Sequence, residues 1–339
     1  MTMTCDLGFR IVGDCTGDRR LINWAAAFRA YLACDEKAEV GREAYLSAFT
    51  FGSDFGSHLE ETGSTRNFDG LCRAGYLWFD IDRAEGELET ARRDTARLAL
   101  SLVDRYSLDE DSLLLFFSGA KGFHIGLPVS LWHPEPSLLF HRQTRRLAEG
   151  LAESASVTID TGVFDKVRAF RAPNSRHRKT GLHKRPLPLD ALMRLSVERI
   201  VQLACEPAPT ELPDVPSLDT TAQSDWMTAG EAVSEALKAR TASTVNATST
   251  LNRRTLEFIR DGATTGDRHR LLFSAAANLA EFDCPSELAH ALLTDAAFDS
   301  GLAPAEVRRQ IECGLKHQIP RSGSLFPPPD DGGLYDPRS

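Results

Sequence analysis

The segment GYLWFDID, residues 75–82, constrains the chain more than any other. Its residues alternate as a half-buried β-strand requires, and the alternation ends on two acids. Successive side chains of a strand point to opposite faces, so Leu77, Phe79 and Ile81 share one face while Trp78, Asp80 and Asp82 share the other. Two carboxylates so placed can bridge divalent ions about 3.5–4 Å apart, and a hard cation such as magnesium favours oxygen ligands. The plainer alternative is a pair of exposed acids at a strand end. The apolar run before them weighs against it, because it makes the pair an abrupt polar ending on a central element.

The next eighty residues supply a context. Periodicity predicts an amphipathic helix over 85–106, a buried strand over 112–117, a second over 122–128, a helix over 136–155 and a short strand over 156–160. The order β-α-β-β-α-β is the split pattern of ferredoxin-like and RNA-recognition folds, so the expected class is α+β. In that pattern both helices cover one sheet face and leave the other open. If the apolar sets face the helices, Asp80, Asp82, His124 and Asp160 share the open face. Alternation alone leaves the register between the strands undefined.

Two further clusters could carry chemistry. In Ser118-Gly119-Ala120-Lys121-Gly122-Phe123-His124, the glycines free the backbone to approach a phosphate, and Ser118, Lys121 and His124 supply donors. The spacing is not that of a Walker loop, and an ordinary glycine hairpin with a chance lysine fits the loop equally well. The second cluster is RAFRAPNSRHRKTGLHKR, residues 168–185. The net charge is -9, a poor basis for non-specific binding to DNA. From Lys166 to Arg185, however, the chain carries basic side chains and no acid. A solvated basic loop is the plain reading, and a site for phosphate, sugar or template backbone the functional one. No Ser-His-Asp or Cys-His nucleophile system stands out. The 7 cysteines are scattered, with no CxxC pair, which gives neither a disulfide framework nor a zinc ribbon. A phosphatase of the haloacid-dehalogenase type would place Thr or Val two residues after the second Asp, where this chain has Ala84.

Composition divides the chain. Residues 1–205 read as the catalytic core, with 1–70 a mixed helix-and-strand extension. Residues 206–250, rich in Pro, Ser and Thr, read as a linker with a helical stretch at 229–239. Residues 251–318 read as a small helical domain and 319–339 as a disordered tail. The first thirty residues lack an apolar signal region, and no apolar run has the length of a bilayer span, so a cytoplasmic location is expected.

Taken in order, FDID, SGAKGFHIG, and TID followed by RAFRAPNSRHRKTGL resemble the archaeo-eukaryotic primase superfamily over roughly residues 42–190. The resemblance implies a DNA-directed primase or primase-polymerase, a nucleotidyltransferase with an RNA-recognition-like core. It makes Asp80, Asp82 and Asp160 the ligands of two Mg2+ or Mn2+ ions. Ser118, Gly119, Lys121, Gly122 and His124 become contacts to the incoming NTP or dNTP, and Arg171, Asn174, His177 and Lys179 nucleotide or template contacts. The implied partners are a single-stranded DNA template and, because the chain has no Walker A motif, a separate replicative helicase or other replication or repair proteins. Residues 255–317 are similar to the helical C-terminal domain of phage and plasmid primases. One departure is that residues 125–159 contain no Cys for the zinc knuckle of many family members. The rival readings are a metal-dependent nuclease or phosphohydrolase using the same acids, and a catalytically idle nucleic-acid-binding subunit. The latter would favour stacked aromatics on the open face.

Overall fold

The computed structural model describes residues 5–214, 216–246, 251–263 and 267–316. Two units emerge, Met1–Arg240 and Thr241–Ser339. The first is a mixed α+β body. It begins with β1 (Leu7–Val12), β2 (Arg20–Asn23), α1 (Trp24–Leu32), β3 (Ala44–Ser47), β4 (Thr50–Phe51), α2 (Ser53–Thr62) and β5 (Cys72–Arg73). It continues with β6 (Tyr76–Asp82), α3 (Leu88–Tyr106), β7 (Leu114–Phe117), β8 (Gly122–Pro128), α4 (Phe140–Ser154), β9 (Ala169–Arg171), β10 (Arg185–Pro186), α5 (Leu189–Arg194), α6 (Val197–Leu203) and α7 (Thr220–Asn246).

The strands form two antiparallel sheets. One runs β5-β4-β1-β3-β9 with β2 attached to β1, and the other runs β10-β7-β8-β6. The β-α-β-β-α run of β6 through α4 follows the expected order. Helix α3 turns Ala91, Thr95, Leu98 and Leu102 inward, and α4 turns in Phe140, Thr144, Leu147 and Leu151. Both helices pack against β6.

Three expectations change. Residues 157–160 form no strand; one backbone bond, Asp160 N to Asp80 O at 2.8 Å, holds that segment beside β6. Nor is the second sheet face open. Phe170 of β9 lies 5.3 Å from the Trp78 ring and 4.5 Å from His124, and Phe28 of α1 lies 6.1 Å from Trp78. The first sheet therefore covers the apolar part of that face and leaves its acidic end at the rim. Alternation could not reveal this, because aromatic and polar residues share the covered face.

The third change concerns the linker. Residues 206–214 lie against α1, with Thr210 N donating to Leu32 O at 2.9 Å. Helix α7 then buries Ala222 and Ala229, stacks Trp226 on Trp132 at 5.8 Å between centroids and tilts it against Phe140 at 5.3 Å. Asp225 accepts from Arg105 at 2.7 and 2.6 Å and from the Tyr106 hydroxyl at 2.8 Å. Its apolar anchors recur at helical spacing but are sparse in a polar stretch, so composition outweighs periodicity when the sequence is read.

Among its described residues the second unit holds four helices: α8 (Arg253–Asp261), α9 (Arg268–Ala280), α10 (Ser286–Asp299) and α11 (Pro304–Leu315). Phe258, Leu272, Leu293 and Ile311 form its own core. Gly314 lets α11 pack closely on α9, since a Cβ there would lie 2.7 Å from Phe273 O. The expected tail, 319–339, lies outside the described residues. Among the described residues no helix is long and apolar enough to cross a membrane.

The docking of α7 makes a prediction about truncation. Trp226→Ala should lower stability by about 1–3 kcal/mol, the value of an apolar surface half removed from water. A chain ending at Cys205 should unfold at a lower urea midpoint than one ending at Arg240. Equal midpoints would reduce α7 to a passive tether.

Candidate active site

The ladder between β6 and β8 places the expected acids. Asp80 lies directly opposite His124, and Asp82 opposite Gly122. Gly122 is required there, because a Cβ would run into Ile81 O and the Asp82 carboxylate. The glycine thus serves strand pairing, beyond any freedom it gives the loop. Asp160 caps the turn Thr161–Phe164, its Oδ1 accepting from Gly162 N at 2.8 Å. Since its own amide is bonded to Asp80 O, the three carboxylates gather at the rim of the second sheet.

Electrostatics records the gathering. Burial pushes the Asp80 carboxyl up to about 7, with the charges of Asp82 and Asp160 adding to the rise and Lys184 and Arg168 opposing it. Its Oδ1 is buried and has no hydrogen-bond partner. His124 Nε2 stands 3.5 Å away, too distant for an effective bond. Burial holds this imidazole well below its usual range, assisted by Lys184 and Arg171, so it is neutral near pH 7. Lys121, at the hairpin tip, places Nζ 3.1 Å from Asp82 Oδ2. Bonding to Asp82 raises its ammonium, and Asp80 and Asp160 raise it further.

An orphaned buried oxygen, a cluster of oxygen donors and mutual repulsion form a donor set that suits a hard divalent cation. As the side chains stand, however, no group of three His, Cys, Asp or Glu among the described residues is arranged to hold a metal. Asp82 faces Lys121 and Asp160 faces Gly162 instead.

The residues expected to contact phosphate, Ser118 to Gly122, occupy one tight hairpin. Ser118 is buried, and its Oγ accepts from Ala120 N and Gly122 N, both at 3.3 Å. Gly119 has φ of 83°, in the region that favours glycine, and its carbonyl accepts from Thr180 Oγ1 at 2.6 Å. That bond joins the hairpin to the basic loop. In the basic loop His177 Nδ1 accepts from Lys179 N and Thr180 N at 3.1 and 3.3 Å, and Lys179 is exposed. His177 also lines, with Arg42, Arg176 and Arg178, a cavity of about 490 Å3. A larger cavity of about 750 Å3 lies between α7 and residues 136–143 and touches none of the expected site residues.

Two expected contacts are turned elsewhere. Asn174 is fully buried. Its Nδ2 donates to the carbonyls of Tyr31, Leu32 and Ala208, and its Oδ1 accepts from Ala208 N, so its amide bonds α1 and the 206–214 segment together. Arg171 pairs with Glu43 at 3.1 Å and lies over the Tyr45 ring.

Several residues that position the site were not singled out from sequence. Arg83 donates to Asp82 O at 2.7 Å and Thr158 O at 3.0 Å, and its other nitrogens bind Asp94. It thereby ties the strand end carrying Asp82 to the segment carrying Asp160. The available signal was Asp94, an acid at helical spacing with Leu98 and Leu102 in the inward row of α3. Lys184, counted with the basic loop, is buried, with Nζ 4.2 Å from the Phe170 ring, 4.8 Å from Phe116 and 5.2 Å from Trp78. It donates to Arg171 O at 2.8 Å. No sequence period marks it as interior.

No family model matches the chain, and no curated protein matches it. Among solved structures, the crystal structure of primase RepB' aligns at 15% identity over 93% of this chain and 91% of that one, with a TM-score of 0.35. A value that low assigns no shared fold, and the site stands on its own geometry.

The raised Asp80 carboxyl has a consequence for stability. The folded state keeps the proton over an interval, from the ordinary carboxylate value of 3.8 to about 7, in which the unfolded chain has released it. Stability in the absence of divalent ions should therefore fall as pH rises through that window. Asp80→Asn should flatten the slope and exceed wild type at pH 8 by about 2–4 kcal/mol. Urea midpoints from pH 4 to 8 check this, and parallel curves would remove Asp80 from its buried, repelled setting.

Proposed function

We propose that the chain is a template-directed nucleotidyltransferase of the primase-polymerase kind. The observation that carries the reading is the gathering of Asp80, Asp82 and Asp160 around a buried carboxylate oxygen with no partner. These three acids would hold two divalent ions, Mg2+ or Mn2+, and such ions supply activation of a 3′ hydroxyl and neutralisation of a leaving pyrophosphate. The chain's own residues set the rest. Arg83 fixes the spacing of the two segments that bear the acids. His124 is buried opposite Asp80, and that burial leaves the outward contacts to others.

Lys121 and, across the Thr180–Gly119 bond, His177 and Lys179 present donors from two joined loops, suited to the oxygens of an NTP or dNTP. Asn174 has no place in this set, since its amide is bonded internally. The exposed arginines of the basic loop suit a single-stranded template backbone. A nuclease or phosphohydrolase could employ the same acids. The second basic loop beside them is extra to what water attack needs and favours a reaction with two nucleic substrates.

The test is a gel assay with single-stranded template, primed and unprimed, labelled NTPs or dNTPs, and each metal. Product should lengthen by discrete nucleotides. Asp82→Ala and Asp160→Ala should each lose more than the roughly 10–100-fold typical of residues that only orient a metal ligand. Strand shortening or nucleotide hydrolysis without growth would favour the phosphohydrolase, and growth by either variant at the wild-type rate would falsify the assignment.

A further inference from the structure

The carboxylate of Asp82 already faces a cation. Lys121 Nζ is 3.1 Å from Asp82 Oδ2, and the Asp80 and Asp160 charges act on the same ammonium. It therefore lies where the field of all three acids is felt. We infer that Lys121 holds the cation position at Asp82 in the free protein, and that an anionic nucleotide, by drawing the ammonium away, strengthens the binding of a divalent ion there. The inference rests on the reading of the three acids as metal ligands and adds an order to the events at that site.

Three observations support it. First, Lys121 accounts for the direction of Asp82, whose carboxylate lies 3.1 Å from the ammonium. Second, the lysine is free to leave. Its side chain is 60% exposed, while the hairpin beneath it is fixed by Ser118 N to Gly122 O at 2.9 Å, Arg83 N to Lys121 O at 3.3 Å and Thr180 Oγ1 to Gly119 O at 2.6 Å. Only the flexible stem need move. Third, an exposed ion pair is weak, so a triphosphate with several anionic oxygens competes well for the ammonium. A divalent ion arriving alone meets the ammonium's repulsion at short range. Nucleotide and metal thus favour each other, and the acids take up metal less readily when no nucleotide is present.

The test measures Mn2+ binding to the full-length protein without nucleotide, by the free-ion electron paramagnetic resonance signal. It is run on wild type, Lys121→Met, Lys121→Arg and Asp82→Asn, with binding of a non-hydrolysable deoxynucleoside triphosphate analogue measured in parallel. Lys121→Met should bind Mn2+ about fivefold more tightly than wild type, a factor within the range of one exposed ion pair. Lys121→Arg should stay near wild type, and the gap should narrow at high salt as exposed charges are screened. The same Lys121→Met variant should bind the analogue more weakly, an opposition of sign that a merely structural lysine would not give. Mn2+ affinity of Lys121→Met equal to or below wild type, with Asp82→Asn defective, would overturn the inference and leave the metal site standing. Unchanged Mn2+ binding in Asp82→Asn would instead remove the metal-site reading itself.

Discussion

The pairing of β6 with β8 decides most of what this molecule can do. The seven-residue ladder sets Asp80 against His124 and Asp82 against Gly122. It also presents the outer backbone edge of β6, on which Asp160 N hangs through Asp80 O. Displacing the register by one residue would send both acids to the helix-covered face, because side chains alternate with period two. The apolar partners of the same ladder, Leu77, Phe79 and Ile81 against Phe123, Ile125 and Leu127, make that slip prohibitive, since all six are buried. The hydrophobic core thus enforces the position of groups that it excludes.

Around that ladder the charges are managed by placement. Arg83 and Asp94 form a half-buried pair whose remaining donors grip two carbonyls near the acids. A pair of that kind gives little net stability, because desolvation offsets attraction, but it holds two chain segments in fixed relation. Lys184 is driven well below its usual range by burial, with the Asp80 charge opposing the shift. Its ammonium is enclosed by three aromatic rings and the Arg171 carbonyl. The site therefore has a fixed inner lysine, Lys184, that acts on Asp80, and a movable outer one, Lys121, that pairs with Asp82.

Much of this was legible in the sequence. The period-two run from Leu77 to Asp82 gave the strand, its faces and the shared side of Asp80 and Asp82, and the α+β class followed from the order of periods. What sequence could not supply were relations across the chain. Nothing local in His124 says that it faces Asp80, since register depends on the joint fit of two strands. Nothing in the Lys166–Arg185 run separates the buried Lys184 from the exposed Lys179, because burial there depends on Phe170, Phe116 and Trp78 coming from three different strands. Asn174 reads as a polar ligand and proves to be a staple, its four bonds reaching α1 and a segment more than thirty residues away. The helical content of 220–246 was outweighed by composition, although Ala222, Trp226 and Ala229 carry the period.

Gly122 couples positions that a mutational history would otherwise vary independently. Any side chain there would meet the Asp82 carboxylate and the carbonyl before it, so the residue facing Asp82 is fixed by that strand's own atoms. Diversification of the hairpin is channelled outward to Ala120 and Lys121, the two positions of the loop that are neither glycine nor the buried serine. Single substitutions at the tip can retune charge and reach while Ser118 and Gly122 hold the floor of the site, a division between a fixed base and an adjustable lip within one β-hairpin.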